Sequence, residues 1–308
     1  ARSPSRSCVR TPTARLFLDL VPELPDPGTR LVWRSADKRE AWDAVGYERL
    51  PVAARDGLTK RECSPTFYYT TGYGSPLVYA RPLDVAAEAG FEAGGAKVLD
   101  FGYGLIGHLR LLAMMGTSAQ GVDVEPVFRA LYAQDQGPVA PGKAARAARE
   151  DTPAGALGIH HGSWPGDAAV KEGVGGGYDL IISKNVLKRG YVHPEREVDP
   201  KFLVHLGVSD AEFIAALHGA LKPGGLVLIY NISPAQNPAD KPYLPHADPR
   251  CAFSREDLEA VGFEVVKYDE DDQAAVIALW DALGYFKPEE QREPEKHIFA
   301  RYTLVRKR

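Results

Sequence analysis

The sequence predicts an α/β fold with a mostly parallel sheet. From Lys97 onward, short runs rich in apolar and β-branched residues alternate with segments of helical periodicity. This alternation is typical of successive βα units. Two segments in this region also begin with clear helix-capping signals. Strands are predicted at residues 97–101 (KVLDF), 118–124 (SAQGVDV), 157–162 (LGIHHG), 178–183 (YDLIIS), 225–232 (GLVLIYNI), 263–268 (FEVVKY) and 300–307 (ARYTLVRK).

Three helices are predicted in the second half of the chain. Ser209 precedes Glu212 by three residues, which is the spacing of a capping box, and the helix ends before Gly224. Ser254 opens a second helix in the same way. A third helix is predicted over residues 274–285, and the acidic run DEDD at 269–272 before it is interpreted as a solvated loop.

The N-terminal part has a different character. Residues 1–15 carry four arginines and no acidic residue, which predicts a disordered basic tail. Residues 16–95 are mixed and proline-punctuated, and they are interpreted as an N-terminal lid or substrate region. The regular α/β domain is expected over residues 96–308.

Composition excludes several classes of protein. The chain has 308 residues, 44% hydrophobic and 25% charged, with a net charge of -4, which argues against a general nucleic-acid-binding surface. No apolar stretch is long enough to span a membrane. Three cysteines without metal-ligand spacing fit a reducing compartment, so a cytoplasmic location is expected. An exported form stays open because the chain begins with Ala.

A glycine-rich turn follows the first predicted strand. Gly102, Gly104 and Gly107 lie between that strand and a helical segment, where glycine lets the backbone approach a nucleotide closely. Asp123 ends the next strand, and its carboxylate can accept two hydrogen bonds from a ribose diol. This pattern fits either a nicotinamide dinucleotide or another nucleoside ligand.

Asp100, immediately before the turn, separates these two possibilities. A carboxylate there repels a diphosphate and attracts an ammonium or sulfonium group. S-adenosylmethionine carries both cationic groups as well as a ribose. The aspartate therefore favours S-adenosylmethionine over NAD.

Four segments in the expected order resemble the class I S-adenosylmethionine-dependent methyltransferases. They are VLDFGYGLIG (98–107), GVDVEP (121–126), YDLIISKNVL (178–187) and LKPGGLVLI (221–229). The resemblance covers residues 97–308. It implies a Rossmann-like, seven-stranded sheet with helices on both faces and an antiparallel last strand. It also implies S-adenosylmethionine as the cofactor.

The resemblance points to a set of cofactor-binding residues. Gly107 comes one residue later than in the commonest family pattern. Ser163 stands where the family often has an acid near the adenine, and Trp164 beside it either covers the adenine or belongs to the core. The expected cofactor-binding residues are Tyr73, Gly74, Asp100, Gly102, Tyr103, Gly104, Gly107, Asp123, Val124, Ser163 and Trp164.

The acceptor is expected at the segment after the fourth strand, because ligands bind at the carboxyl ends of parallel strands. Tyr191 and His193 are candidate bases, and Lys184 and Asn185 are candidates for orienting a substrate. Each can instead make a structural hydrogen bond. The segment has neither an Asn-Pro-Pro-Tyr element nor an acidic metal-binding cluster, so no metal site is expected.

An aromatic run precedes the regular domain. Tyr73 and Gly74 in this run are expected to lie across the cofactor, or else to cover the edge of the sheet. The sequence thus predicts a methyltransferase for an unidentified acceptor, most simply a small molecule. The alternatives are an NAD-binding oxidoreductase and a non-catalytic, methyltransferase-like binding protein. No partner membrane or nucleic acid is expected.

Overall fold

A computed structural model of the chain describes residues 7–71, 74–288 and 290–308. The strands are β1 (Arg30–Arg34), β2 (Ala41–Asp43), β3 (Thr59–Cys63), β4 (Lys97–Phe101), β5 (Ser118–Asp123), β6 (Gly137–Val139), β7 (Gly155–His161), β8 (Tyr178–Lys184), β9 (Leu221–Ser233), β10 (Phe263–Asp271) and β11 (Phe299–Lys307). The α-helices are α1 (Pro12–Asp19), α2 (Ala44–Arg49), α3 (Val52–Arg55), α4 (Pro65–Thr70), α5 (Ala80–Glu88), α6 (Gly107–Met114), α7 (Pro126–Leu131), α8 (Lys143–Ala148), α9 (Ala168–Val174), α10 (Arg189–Val192), α11 (Asp210–Ala220), α12 (Arg255–Ala260) and α13 (Gln273–Leu283). Within these ranges, no helix has both the length and the apolar character needed to cross a membrane.

The main sheet has eight strands in the order β10-β11-β9-β8-β4-β5-β7-β6. The last strand, β11, lies between β9 and β10 and is antiparallel to both. The predicted Rossmann-like fold and its seven strands are confirmed. The eighth strand, β6, pairs antiparallel with β7 at the edge. Its three residues, Gly-Pro-Val, are too few to show a strand periodicity in the sequence.

Helices cover both faces of this sheet. Along β4 and β8, Val98, Leu180 and Ile182 belong to one buried cluster, while Leu99 and Ile181 belong to the other. This alternation follows from the two-residue period of a strand. A sheet covered on both sides exposes only its strand ends, so these ends are where a ligand can reach it.

The predicted helix starts in the second half are confirmed. Ser209 and Glu212 form a reciprocal capping box at the start of α11. The Ser254 hydroxyl accepts a hydrogen bond from the Asp257 N–H at the start of α12. Both caps satisfy N–H groups that a helix leaves unpaired at its first turn.

A second, three-stranded sheet in the order β2-β1-β3 lies in the N-terminal region. The prediction of a disordered tail over residues 1–15 is wrong from residue 7 onward, since α1 begins at Pro12 and Val9 is buried. The backbone N–H groups of Arg10 and Thr11 donate to the Asp84 carboxylate at 2.7–3.0 Å. Asp84 lies far along the chain, so local composition gave no sign of this contact. Residues 1–6 lie outside the described residues.

A buried ion-pair network joins the N-terminal region to the sheet. The Arg81 guanidinium donates two hydrogen bonds of 2.8 Å to Asp272 and one of 3.0 Å to Asp84. Tyr230 also donates to Asp272. The interpretation of DEDD as a solvated loop is wrong, because residues 269–271 belong to β10 and Asp272 is 7% exposed. Its charge is buried because Arg81 neutralises it.

We expect Arg81→Met to lower the free energy of unfolding by about 3–5 kcal/mol, because it leaves two buried carboxylates unpaired. Urea denaturation at neutral pH measures this loss. The control is Arg255→Met, which removes an exposed pair with Glu259 and is expected to cost less than about 1 kcal/mol. Equal losses in the two variants would contradict a structural role for the network.

Candidate functional site

A large cavity opens at the carboxyl ends of β4, β5 and β8. It has a volume of about 1040 Å³ and is called the central cavity below. Its size is at the upper end of the range for small-molecule sites. It is lined by Arg34, Lys38, Arg39, Tyr79, Phe101, Gly102, Tyr103, Gly104, Leu105, Val122, Asp123, Val124, Glu125, Pro126, Phe128, Gly162, Ser163, Trp164, Lys184, Asn185, Val186, Lys188, Tyr191, Lys201, Phe202, Leu203, Val204 and His205.

The glycine turn forms one wall of the central cavity. Gly102 and Gly104 have φ angles of 73° and 59°, a conformation that favours glycine. A Cβ atom on Gly102 would lie 2.4 Å from Cγ2 of Val186. The turn therefore needs glycine at Gly102 for two reasons, its backbone conformation and its close approach to the β8 side of the cavity.

Asp123 stands on the adjoining wall with both carboxylate oxygens held. One accepts a hydrogen bond from the Gly104 N–H at 3.2 Å, and the other accepts one from the Glu125 N–H at 2.9 Å. Burial raises the pKa of Asp123 to about 6. Each oxygen has a second lone pair, so the anchored carboxylate can also accept hydrogen bonds from two vicinal hydroxyl groups.

Asp100 lies beneath the turn rather than at the cavity surface. Its Oδ2 accepts a hydrogen bond of 2.8 Å from the Tyr79 hydroxyl and lies 2.6 Å from Nε2 of His108. The Tyr79 and His108 rings stack at 3.6 Å. Burial lowers the pKa of His108 against the opposing effect of Asp100, so we assign Nε2 as the donor. Asp100 thus acts on the cavity through its electric field, without being among the residues that line it.

The segment after β8 brings Lys184, Asn185 and Tyr191 to the central cavity. The Lys184 side chain lies 5.0 Å above the Tyr79 ring, and burial lowers its pKa to about 8. Asn185 has a φ of 66°, and its side chain accepts a hydrogen bond of 2.7 Å from the Ile232 N–H. These contacts fix Lys184 and Asn185 where β8 ends.

Lys188 also reaches the central cavity, but its ammonium is already bound. It donates to the carbonyl oxygens of Ile232 and His246 at 2.5 and 3.0 Å. Burial, and then the neighbouring charge of Lys184, lower the pKa of Lys188 to about 7. Lys188 therefore fastens the loop after β8 to the end of β9.

Ser163, Trp164 and Val124 lie on the side of β5 and β7. Trp164 is 2% exposed and contacts Phe101 and Phe213 at ring distances of 6.0 and 5.6 Å. It belongs to the core and to the cavity wall at once, so both of its expected roles are compatible. Val124 is 64% exposed where it borders the cavity.

The structure does not bring every predicted site residue to the central cavity. His193 lies in a separate surface pocket, where its Nε2 is 2.7 Å from Asp210. Gly107 begins α6 and is covered by Pro76 and Tyr69. Gly74 lines a different cavity, described below, and Tyr73 lies outside the described residues.

Sequence reasoning missed the basic residues at the rim. Arg34, Lys38 and Arg39 reach the central cavity from the N-terminal sheet, and Arg34 forms an ion pair with Glu125 at 2.9 Å. Nothing in the local sequence marks them, since the contact depends on how the two sheets meet. No group of three or more potential ligand side chains in the described part of the chain could hold a metal ion.

Comparison with known proteins gives a likeness of fold. No family model matches the chain, and no curated protein matches it. A Galdieria sulphuraria protein, named provisionally as a sarcosine dimethylglycine methyltransferase, is 14% identical with a TM-score of 0.45, covering 77% of this chain and 86% of its own. The [4+2]-cyclase SpnF is 17% identical with a TM-score of 0.41, covering 74% and 80%. Haemonchus contortus phosphoethanolamine N-methyltransferase 2, in complex with S-adenosyl-L-methionine, is 13% identical with a TM-score of 0.39, covering 96% and 74%. At these values the likeness assigns no activity to this chain.

We expect Gly102→Ala to destabilise the protein by about 1–3 kcal/mol, from backbone strain together with overlap at Val186. Denaturant titration measures the loss. Gly90→Ala is the matched control, because Gly90 has a φ of 96° and an added Cβ would meet nothing within 4 Å. The loss of unfolding free energy in Gly90→Ala should therefore come from backbone strain alone.

The double variant Gly102→Ala with Val186→Ala tests the overlap directly. The loss of unfolding free energy in Val186→Ala alone is first subtracted from the loss in the double variant. The remainder should equal the loss in Gly90→Ala, because the overlap is gone and only backbone strain is left. Strict additivity of the two substitutions would show that the turn does not press on Val186.

Proposed function

We propose that the chain is an S-adenosylmethionine-dependent methyltransferase acting on a small-molecule acceptor. The observation that carries this proposal is the Asp123 carboxylate, anchored by the N–H groups of Gly104 and Glu125 at the wall of the central cavity. Two oxygens in fixed positions suit the two hydroxyls of a ribose. Gly102 carries no side chain, which allows a nucleoside to approach the backbone of the turn.

The start of α6 argues against a dinucleotide. In dinucleotide-binding folds the diphosphate sits at the N-terminus of the helix after the glycine turn. Here Pro76 atoms lie 2.9 Å from the position of a Cβ on Gly107, the first residue of α6. The chain itself covers that helix end, and the Asp100 carboxylate lies beneath the same turn. Both features oppose a diphosphate and leave a ligand with a cationic group compatible.

The residues around the central cavity fit separate parts of the cofactor. Asp123 would hold the ribose, the backbone of Gly102 and Gly104 would border it, and Val124 and Trp164 would flank the adenine beside Ser163. The bound cofactor supplies an electrophilic methyl group on a sulfonium. Because Asp123 and Lys184 end strands two positions apart, about 10 Å across the sheet, Lys184 and Asn185 are suitably located to orient an acceptor.

Orientation of the two reactants is the main contribution that we assign to the chain. Lys184, Asn185 and Tyr191 remain our candidates at the acceptor end. His193 is not assigned as the base, because its imidazole faces Asp210 outside the central cavity. An acceptor that reacts as an anion or as a free amine needs no further base from the protein.

We expect the protein to bind S-adenosylhomocysteine, the product form of the cofactor, and not NAD. Isothermal titration calorimetry with each compound tests this directly. Binding of NAD without binding of S-adenosylhomocysteine would overturn the proposal and favour an oxidoreductase. Turnover is then followed as S-adenosylhomocysteine release from S-adenosylmethionine in the presence of small-molecule acceptors.

We expect Asp123→Ala to weaken S-adenosylhomocysteine binding by about 2–4 kcal/mol, because hydrogen bonds to a charged group contribute about 1.5–3 kcal/mol each and are not additive. In the unaltered protein, affinity should fall as pH drops below about 6, since protonation of Asp123 removes acceptor capacity. The exposed Glu172→Ala is the control for both measurements. A pH dependence that persists in Asp123→Ala would assign the titration to another group.

A further inference from the structure

A second cavity lies beside the central cavity and shares Lys184 and Asn185 with it. This side cavity has a volume of about 860 Å³. Its floor is formed by the ends of β8 and β9, and its walls come from the segment before α5, from α13 and from the segment before β11. Its described lining is Thr70, Gly74, Ser75, Val78, Lys184, Asn185, Ile232, Ser233, Pro234, Trp280, Tyr285, Glu290, His297 and Ile298.

Lys184 is the charged group on the floor of the side cavity. It is 7% exposed and, in the described part of the chain, no hydrogen bond and no ion pair within 4.0 Å engages its ammonium, while the Asp100 carboxylate acts on it from farther away. Its Nζ lies 5.0 Å from the centre of the Tyr79 ring. A buried ammonium without an acceptor is costly. The nearby Lys188 differs in this respect, because two carbonyl oxygens satisfy it.

Ser233 ends β9 at the same cavity, but its hydroxyl does not face Lys184. Lys184 pairs with Tyr230, and Ser233 comes three residues after Tyr230, so its side chain points to the opposite face of the sheet. Its Oγ is buried. Lys184 is therefore the group on this floor that an acceptor atom of a ligand would bind.

The rest of the lining limits the kind of ligand. Val78, Ile232, Ile298, Trp280 and Tyr285 present apolar and aromatic surface. The ammonium of Lys184 matches a single negative charge. The described lining contains no arginine, the residue favoured for a phosphate dianion. Glu290 in the same lining disfavours an anion beside it, which favours a position of the charge near Lys184.

We propose that the side cavity binds the methyl acceptor, a small aromatic compound whose anionic oxygen group is held by Lys184. This inference rests on the proposed function, because it locates the acceptor relative to the cofactor in the central cavity. Lys184 and Asn185 line both cavities and therefore mark their junction. The acceptor's anionic oxygen group lies at that junction, which brings it towards the cofactor.

Binding of simple probes to protein saturated with S-adenosylhomocysteine tests the inference. Benzoate and 4-nitrophenolate represent carboxylate and phenolate acceptors, while methyl benzoate and benzylamine are the neutral and cationic controls. We expect at least one anionic probe to bind more tightly than both controls. Lys184→Met should weaken that binding about tenfold to a hundredfold, as loss of a charged hydrogen bond predicts. Ser233→Ala should leave it unchanged, because that hydroxyl points to the other face of the sheet.

Matched controls separate this inference from the proposed function. Lys171→Met removes an exposed lysine on α9 and should change no affinity. Lys184→Met and Ser233→Ala should bind S-adenosylhomocysteine within about twofold of the unaltered protein, which also shows that they are folded. If Lys184→Met loses S-adenosylhomocysteine binding equally, Lys184 holds the cofactor and the inference fails.

The remaining outcomes also decide between the two proposals. Normal S-adenosylhomocysteine binding with no preference for either anion would overturn the inference and leave the proposed function intact. Failure of the unaltered protein to bind S-adenosylhomocysteine would overturn the proposed function itself. Preference for benzylamine would replace an anionic acceptor with a cationic one. Benzoate and 4-nitrophenolate are compared with each other to distinguish carboxylate from phenolate acceptors.

Discussion

The buried pairing of Arg81 with Asp272 is the constraint on which the arrangement of both cavities depends. Arg81 lies in α5, and Asp272 stands between β10 and α13. Arg81 also binds Asp84, which accepts the N–H groups of Arg10 and Thr11. One guanidinium thus holds the N-terminal segment and α13 against the same edge of the sheet. Two walls of the side cavity come from α13 and from the segment before α5, so the network sets the distance between these two walls.

Charged groups gather where the central strands end, and the structure satisfies most of them internally. Asp100 is held by Tyr79 and His108, Asp123 by two backbone N–H groups, and Lys188 by two carbonyl oxygens. Lys184 differs from these three groups, because no hydrogen bond in the described part of the chain engages its ammonium, and Asp100 keeps one buried oxygen, Oδ1, without a partner. Folding alone gives no reason to bury an unsatisfied ammonium beside two cavities, since an apolar side chain there would avoid the desolvation cost. Buried charged groups without a partner are found most often at functional sites.

The residues around the glycine turn decide which ligand this local motif can bind. Gly102 and Gly104 adopt the left-handed conformation that such turns require. The helix after the turn is nevertheless closed by Pro76 and Tyr69 at Gly107. Its N-terminus is therefore not offered to a phosphate, although isolated sequence patterns of this type often bind one. The open space beside the turn is the central cavity at the strand ends.

The sequence by itself determined the α/β class, seven strands, the helix starts at Ser209 and Ser254, and the turn conformation at Gly102 and Gly104. These features follow from local periodicity, capping and glycine stereochemistry, which act over a few residues. Only the tertiary structure decided which side chains meet. It put Asp100 beneath the turn, His193 beside Asp210, and Arg34 at the cavity rim. It also ordered residues 7–15 and buried Asp272. Each of these depends on partners many residues away, because a charge is buried or exposed according to the group that faces it across the fold.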